Sequence, residues 1–212
     1  MKRKKWWLIP IIIVGSVQAL LLVFAFVLFT QKFTVRDNNI SHYEKYCKKT
    51  GQAEEYLPSL EEVYSYQPNN MLFSYQETTQ FFTSYGIALF VDYNDEAYQM
   101  IVNDYETNSY FLTDEEIEKE LASDYCQFPI KEFDYKNYHF KIEAHPYYDS
   151  GYKSCKSFMF VGFDDGNSNI AYLYFYDIDI DYTYEPKKEV STIDRETAMT
   201  QMIKDYFYWR DL

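Results

Sequence analysis

The sequence predicts an α+β protein: one N-terminal transmembrane helix, then an acidic ectodomain of antiparallel sheet with helices packed on one face. Three observations predict it. An uncharged apolar run, Leu8 to Phe29, stands near the start. From about residue 70 onward, short alternating or apolar segments rich in Tyr and Phe recur between turn residues. Two such groups are each followed by a segment with a helix-capping signal.

The apolar run has 22 residues, of which only Pro10, Gly15, Ser16 and Gln18 are not apolar. At about 1.5 Å per residue it reaches roughly 33 Å, against a hydrocarbon core of about 30 Å. Pro10 lies in the first turns, where a missing N–H costs least. Trp6 and Trp7 precede the run, at the headgroup level that indole rings favour. A cleaved signal peptide would share the basic start but have a shorter apolar stretch and a small-x-small cleavage site. The exit Phe29-Thr30-Gln31-Lys32-Phe33 offers no such site. Residues 1–5 are therefore read as a basic cytoplasmic start and 6–29 as a retained, membrane-spanning anchor, with 8–29 in the bilayer. Lys2, Arg3, Lys4 and Lys5 outnumber Lys32 and Arg36, which places the C-terminal domain outside. Lys45, Lys48 and Lys49 narrow that margin over a longer window.

Residues 30–39 read as a juxtamembrane connector, and 40–212 as one acidic extracytoplasmic domain, long enough to bury a core. Asp37-Asn38-Asn39 are good caps for a helix with Ile40, Tyr43 and Cys47 on one face and Gly51 as its stop. Strands are expected at 71–75, 80–85, 86–92 and 98–103, with Asn94-Asp95-Glu96 as a hairpin turn. Thr113 and Glu116 form a capping box, with Leu112 and Ile117 placed as a hydrophobic staple and Leu121 and Tyr125 continuing the apolar face. Strands follow at 131–135, 138–144, 157–163 and 170–179, with Asp164-Asp165-Gly166-Asn167 as a turn. A C-terminal helix opens near Ser191 and Asp194, with Met199, Met202, Ile203 and Tyr206 at helical spacing. The order suggests two tandem ββββα units, residues 68–126 and 127–212, or two ordinary α+β segments alike by chance.

The chemistry is sparse. All 33 acidic residues follow the apolar run, and the net charge is −13. That argues against nucleic acid and anionic membrane surfaces as partners and leaves a cationic protein or peptide open. The three cysteines, Cys47, Cys126 and Cys155, do not make a disulfide framework. In an oxidising compartment Cys126 and Cys155 are the expected disulfide pair, and three buried thiols are the alternative. His42, His139 and His145 have no catalytic context, and no zinc spacing, P-loop, dinucleotide fingerprint or nucleophile elbow occurs.

Asp177, Asp179 and Asp181 share one strand face and must meet water, a basic partner or a cation such as calcium. Tyr172, Tyr174 and Tyr176 form a stripe that either covers the core or stacks on a sugar or peptide. No cofactor is expected beyond that calcium option. The expected function is a non-enzymatic binding or interaction module of a bacterial envelope, of the immunity-like or accessory-subunit kind. An envelope hydrolase without a readable motif, or a calcium- or glycan-binding module, are the alternatives.

Overall fold

A computed structural model describes residues 8–30, 32–50, 53–79, 83–108, 111–122, 129–143, 156–177 and 192–209. Helix α1 (Leu8–Thr30) is 23 residues long. Its described side chains, those of residues 13–24, 26 and 27, are exposed on every side, Leu20, Leu22 and Phe26 among them. Among the described residues no helix is long and apolar enough to cross a membrane; the backbone helix of α1 extends beyond those described side chains at both ends.

Among the described residues, seven strands form one antiparallel sheet: β1 (Phe33–Asp37), β2 (Asn70–Thr79), β3 (Thr83–Asp92), β4 (Glu132–Tyr135), β5 (Tyr138–Ile142), β6 (Lys156–Asp164) and β7 (Asn169–Asp177). Their spatial order is β1-β2-β3-β7-β6-β5-β4. Among the described residues the helices of the domain are α2 (Tyr43–Lys49), α3 (Ala53–Tyr56), α4 (Leu60–Ser65), α5 (Asp95–Thr107), α6 (Asp114–Leu121) and α7 (Thr192–Tyr206).

Several expectations hold. β4, β5, β6 and β7 match the four segments expected in the second half. Asn39 caps the 3-10 turn Ile40–His42 by accepting from the Ser41 amide, and Tyr43 and Cys47 are buried. The capping box of α6 forms as read: the Thr113 amide and hydroxyl both donate to Glu116 Oε2, at 2.7 and 2.8 Å. Leu112 and Ile117 are buried in one cluster, as are Met199, Met202 and Ile203 of α7.

Four expectations are corrected. The connector 30–39 contains edge strand β1, held to β2 by ladder pairing and by Arg36 Nε donating to Gln76 Oε1 at 3.0 Å. Residues 98–103 are not a strand but lie within α5. Asn94 caps that helix by accepting from the Ala97 amide at 3.0 Å, and Asp95 and Glu96 sit at the positive end of its dipole. Ala97, Tyr98 and Ile101 are buried at helical spacing while Met100 faces solvent. With that strand gone, the tandem ββββα repeat goes too.

Helices cover both faces of the sheet rather than one. On one face α2–α5 pack over Phe73, Tyr75, Ile87, Leu89, Val91, Val161 and Tyr172. On the other, α6 and α7 pack over Ala88, Phe90, Phe140, Phe160, Leu173 and Phe175. The reason lies in β3 and β7, whose runs are apolar at successive positions. Successive side chains point to opposite faces, so both faces need cover.

Candidate functional site: a tyrosine-lined cavity around Glu143

The residues singled out in the sequence are dispersed. Tyr172 and Tyr174 are buried under α2–α5 and Tyr176 is half-buried against them, so the stripe faces the core, not solvent. Asp177 ends β7 in a buried position on the opposite face, level with Ser84 and Lys156. Asp179, Asp181, Cys126, Cys155, Tyr125 and His145 lie outside the described residues. Cys47 is a free, buried thiol, pushed up to about 12 chiefly by burial. Asp164 serves its turn: its oxygens accept from the Gly166 amide at 3.1 Å and the Asn167 amide group at 2.8 Å. Among the described residues no three His, Cys, Asp or Glu side chains are grouped to hold a metal ion.

The strongest constellation is built around Glu143, just past the end of β5. Its backbone is clamped on both sides. The Glu143 amide donates to the Met159 carbonyl at 2.9 Å, and Phe111 forms an isolated antiparallel bridge to it. Because Ile142 points to the α6–α7 face, alternation turns the Glu143 side chain to the α4–α5 face. There it lines a cavity of about 160 Å³ with Tyr66, Tyr93, Tyr105 and Tyr172. Pro58, Val63 and Ile101 complete the wall, and the exposed carboxylates of Glu62 and Asp104 stand at its rim.

The electrostatics are unusual for a carboxylate. Among the described residues, Glu143 Oε2 is buried with no hydrogen-bond partner. Burial alone pushes its carboxyl up to about 7, and no cation offsets it. Lys141, two residues earlier on the same face, is instead 3.9 Å from Glu106, with its ammonium over the Phe111 ring. The phenols respond in kind. Tyr105 is raised well above its ordinary value by burial first and then by the charge on Glu143. Tyr93 is pushed up to about 12 by burial, against a hydrogen bond with Tyr172 that lowers it. The walls are held by ring contacts: Tyr105 stacks on Phe111 at 5.5 Å and Tyr66 meets Tyr93 edge-on at 6.2 Å.

A lone buried carboxylate with aromatic neighbours can do two things. Charged, it takes a cation; protonated, it gives a proton to a bound group. Sequence reasoning missed Glu143, which looked like an ordinary polar position in the strand 138–144. The one available signal was the polar face His139, Lys141, Glu143, but nothing local showed that its last member ends in a tyrosine-lined cavity.

No family model, no curated protein and no solved structure matches this chain.

Proposed function

We propose that this chain is a single-pass envelope protein whose outward-facing domain is a non-enzymatic binding module, and that the Glu143 cavity takes the primary amine of a cationic partner. The partner chemistry is a lysine side chain on a basic protein or peptide. The observation that carries this reading is the buried, partnerless Glu143 oxygen inside a wall of tyrosines. An ammonium there would supply the missing partner through a charge-assisted bond. The phenol rings add cation–π attraction, about 2 kcal/mol where water is excluded. Glu62 and Asp104 at the rim and the overall charge of −13 favour approach of a cation.

The anchor part rests on the sequence: the uncharged run Leu8 to Phe29 would reach roughly 33 Å as a helix, against a hydrocarbon core of about 30 Å. A hydrolase reading draws on the same raised carboxyl of Glu143, which suits proton transfer near neutral pH. No Ser, Cys or His lines the described cavity beside it, so binding is the better-supported function.

Calorimetry on the full chain in detergent tests the proposal, with acetyl-lysine methylamide and butylammonium as probes and butanol as the neutral control. Both amines should bind at about pH 8, and at least tenfold more weakly at about pH 5, where Glu143 is protonated. Glu143→Gln should lose binding by a similar factor at the higher pH. Equal binding by the parent and the glutamine variant would reject the site.

A further inference from the structure

A second cavity, of about 250 Å³, shares no residue with the first. It lies where the β4–β5 and β6–β7 turns meet the end of β3, and Trp209, just past α7, closes it. Among the described residues, two of its buried groups lack partners and have opposite senses. The Trp209 indole N–H is a donor without an acceptor, and Asn169 Oδ1 is an acceptor without a donor.

The neighbouring carboxylates do not fill those needs. Asp92, Asn169 and Asp164 are level across β3, β7 and β6, so their side chains share one face. Asp92 Oδ1 already accepts from Asn69 at 3.1 Å, and Asp164 is occupied within its turn. Trp209 is packed among other rings. Its ring meets Phe90 edge-on at 4.8 Å and Tyr135 at 5.2 Å, with the Lys136 ammonium 5.1 Å over it. An unmade buried hydrogen bond costs about 1–3 kcal/mol, so an unmet donor and an unmet acceptor on residues that line one cavity mark a place for a group that both accepts and donates.

We infer that this cavity binds a neutral, hydroxyl-rich ligand: one sugar ring of a polysaccharide. A hydroxyl accepts from the Trp209 indole while another donates to Asn169. Tyr138 and the indole supply the apolar wall that the C–H face of a sugar needs, and exposed Asn137 offers a further amide at the mouth. Asp92 and Asp164 disfavour an anion here. The site stands independently of the amine reading at Glu143.

The test is NMR of the full ¹⁵N-labelled chain in detergent, following the indole N–H resonances of its three tryptophans, Trp6, Trp7 and Trp209. The Trp209→Phe variant assigns the third. The probes are N-acetylglucosamine and glucose, with glycerol as a small polyol control. The Trp209 signal should move saturably with a sugar while those of Trp6 and Trp7 stay. Asn137→Ala, at an exposed position of the β4–β5 turn, should weaken the sugar about fivefold or more. Glu143→Gln should leave the sugar response intact. A Trp209 signal that stays still at tens of millimolar of both sugars overturns the site, as does one that glycerol moves equally.

Discussion

Two carboxylates in this molecule are treated in opposite ways. Asp37, at the end of β1, accepts from the Asn39 amide at 2.9 Å, His42 Nδ1 at 2.7 Å and the Tyr46 hydroxyl at 2.9 Å. Those bonds, the Asn39 amide foremost, hold its carboxyl at about 2. Its stabilising effect is present above the ordinary aspartate range and is lost as pH falls through about 2. Glu143 has no such partners at Oε2 and sits at about 7. Here the sign reverses. The folded protein keeps a proton that the unfolded chain releases from about pH 4.5 upward, so stability falls as pH rises to about 7, and the cost is fully present above that. Glu143→Gln should therefore raise the melting temperature at about pH 8 by several degrees, a gain on the order of 3 kcal/mol at most, and change little at about pH 4. Thermal unfolding of both proteins at the two pH values checks this. A variant less stable than the parent at the higher pH would mean that the carboxylate has a partner after all. A residue that destabilises its own fold and offers an open bond is the signature expected of a binding group.

At the scale of elements, two glycines fix how close the helical layer and the strands can come. A Cβ on Gly86 of β3 would overlap the Tyr206 carbonyl at the end of α7 and crowd Phe207. The same helix end is tied to the sheet by Gln76 Nε2 donating to the Asp205 carbonyl at 2.8 Å. A Cβ on Gly162 would press into the packed Phe140 ring. Gly86→Ala and Gly162→Ala should each cost about 1–3 kcal/mol, a drop of several degrees in melting temperature, because backbone or a packed ring must move. Gly166→Ala, whose Cβ would lie 3.4 Å from Asp164 Oδ1, should be close to neutral. Melting curves of the three variants decide it; equal losses would show that the sheet surface yields. These elements also show what the chain reveals locally. β4 to β7 were legible because alternation and Asp-Gly turn chemistry are short-range signals. Helix α5 was misread because Met100-Ile101-Val102 looks like a strand core, while the Asn94 cap that decides the matter looks equally like a turn. The two-faced packing was implicit in the apolar β3 and β7, but which helix covers which face depends on chain folding over long separations. The Glu143 cavity was illegible for the same reason: its walls come from α4, α5 and β7, and its clamp from Phe111.

At the scale of the whole molecule, an acidic sheet domain with helices on both faces is joined to an uncharged helix through an edge strand, with almost no spacer. α1 ends at Thr30 and β1 begins at Phe33. Phe33 and Val35 are exposed on β1, close in sequence to the helix end, where a membrane interface would cover such side chains. If α1 spans the bilayer, the domain therefore lies against the surface, with the whole chain's net charge of −13 opposing anionic headgroups and favouring a basic partner. Two measurements test this arrangement together. The protein should stay with membranes through alkaline carbonate extraction, as a spanning helix requires and a surface-bound one does not. In intact cells stripped of their wall, added protease should digest the domain and leave the N-terminal lysines protected, as the basic start predicts. Replacing Lys2, Arg3, Lys4 and Lys5 by Gln should reduce that asymmetry, since Lys32 and Arg36 would then be the nearest positive charges. Digestion of the domain only after lysis would reverse the orientation and place the Glu143 and Trp209 cavities on the cytoplasmic side, where the amine partner could still be met but a wall polysaccharide could not.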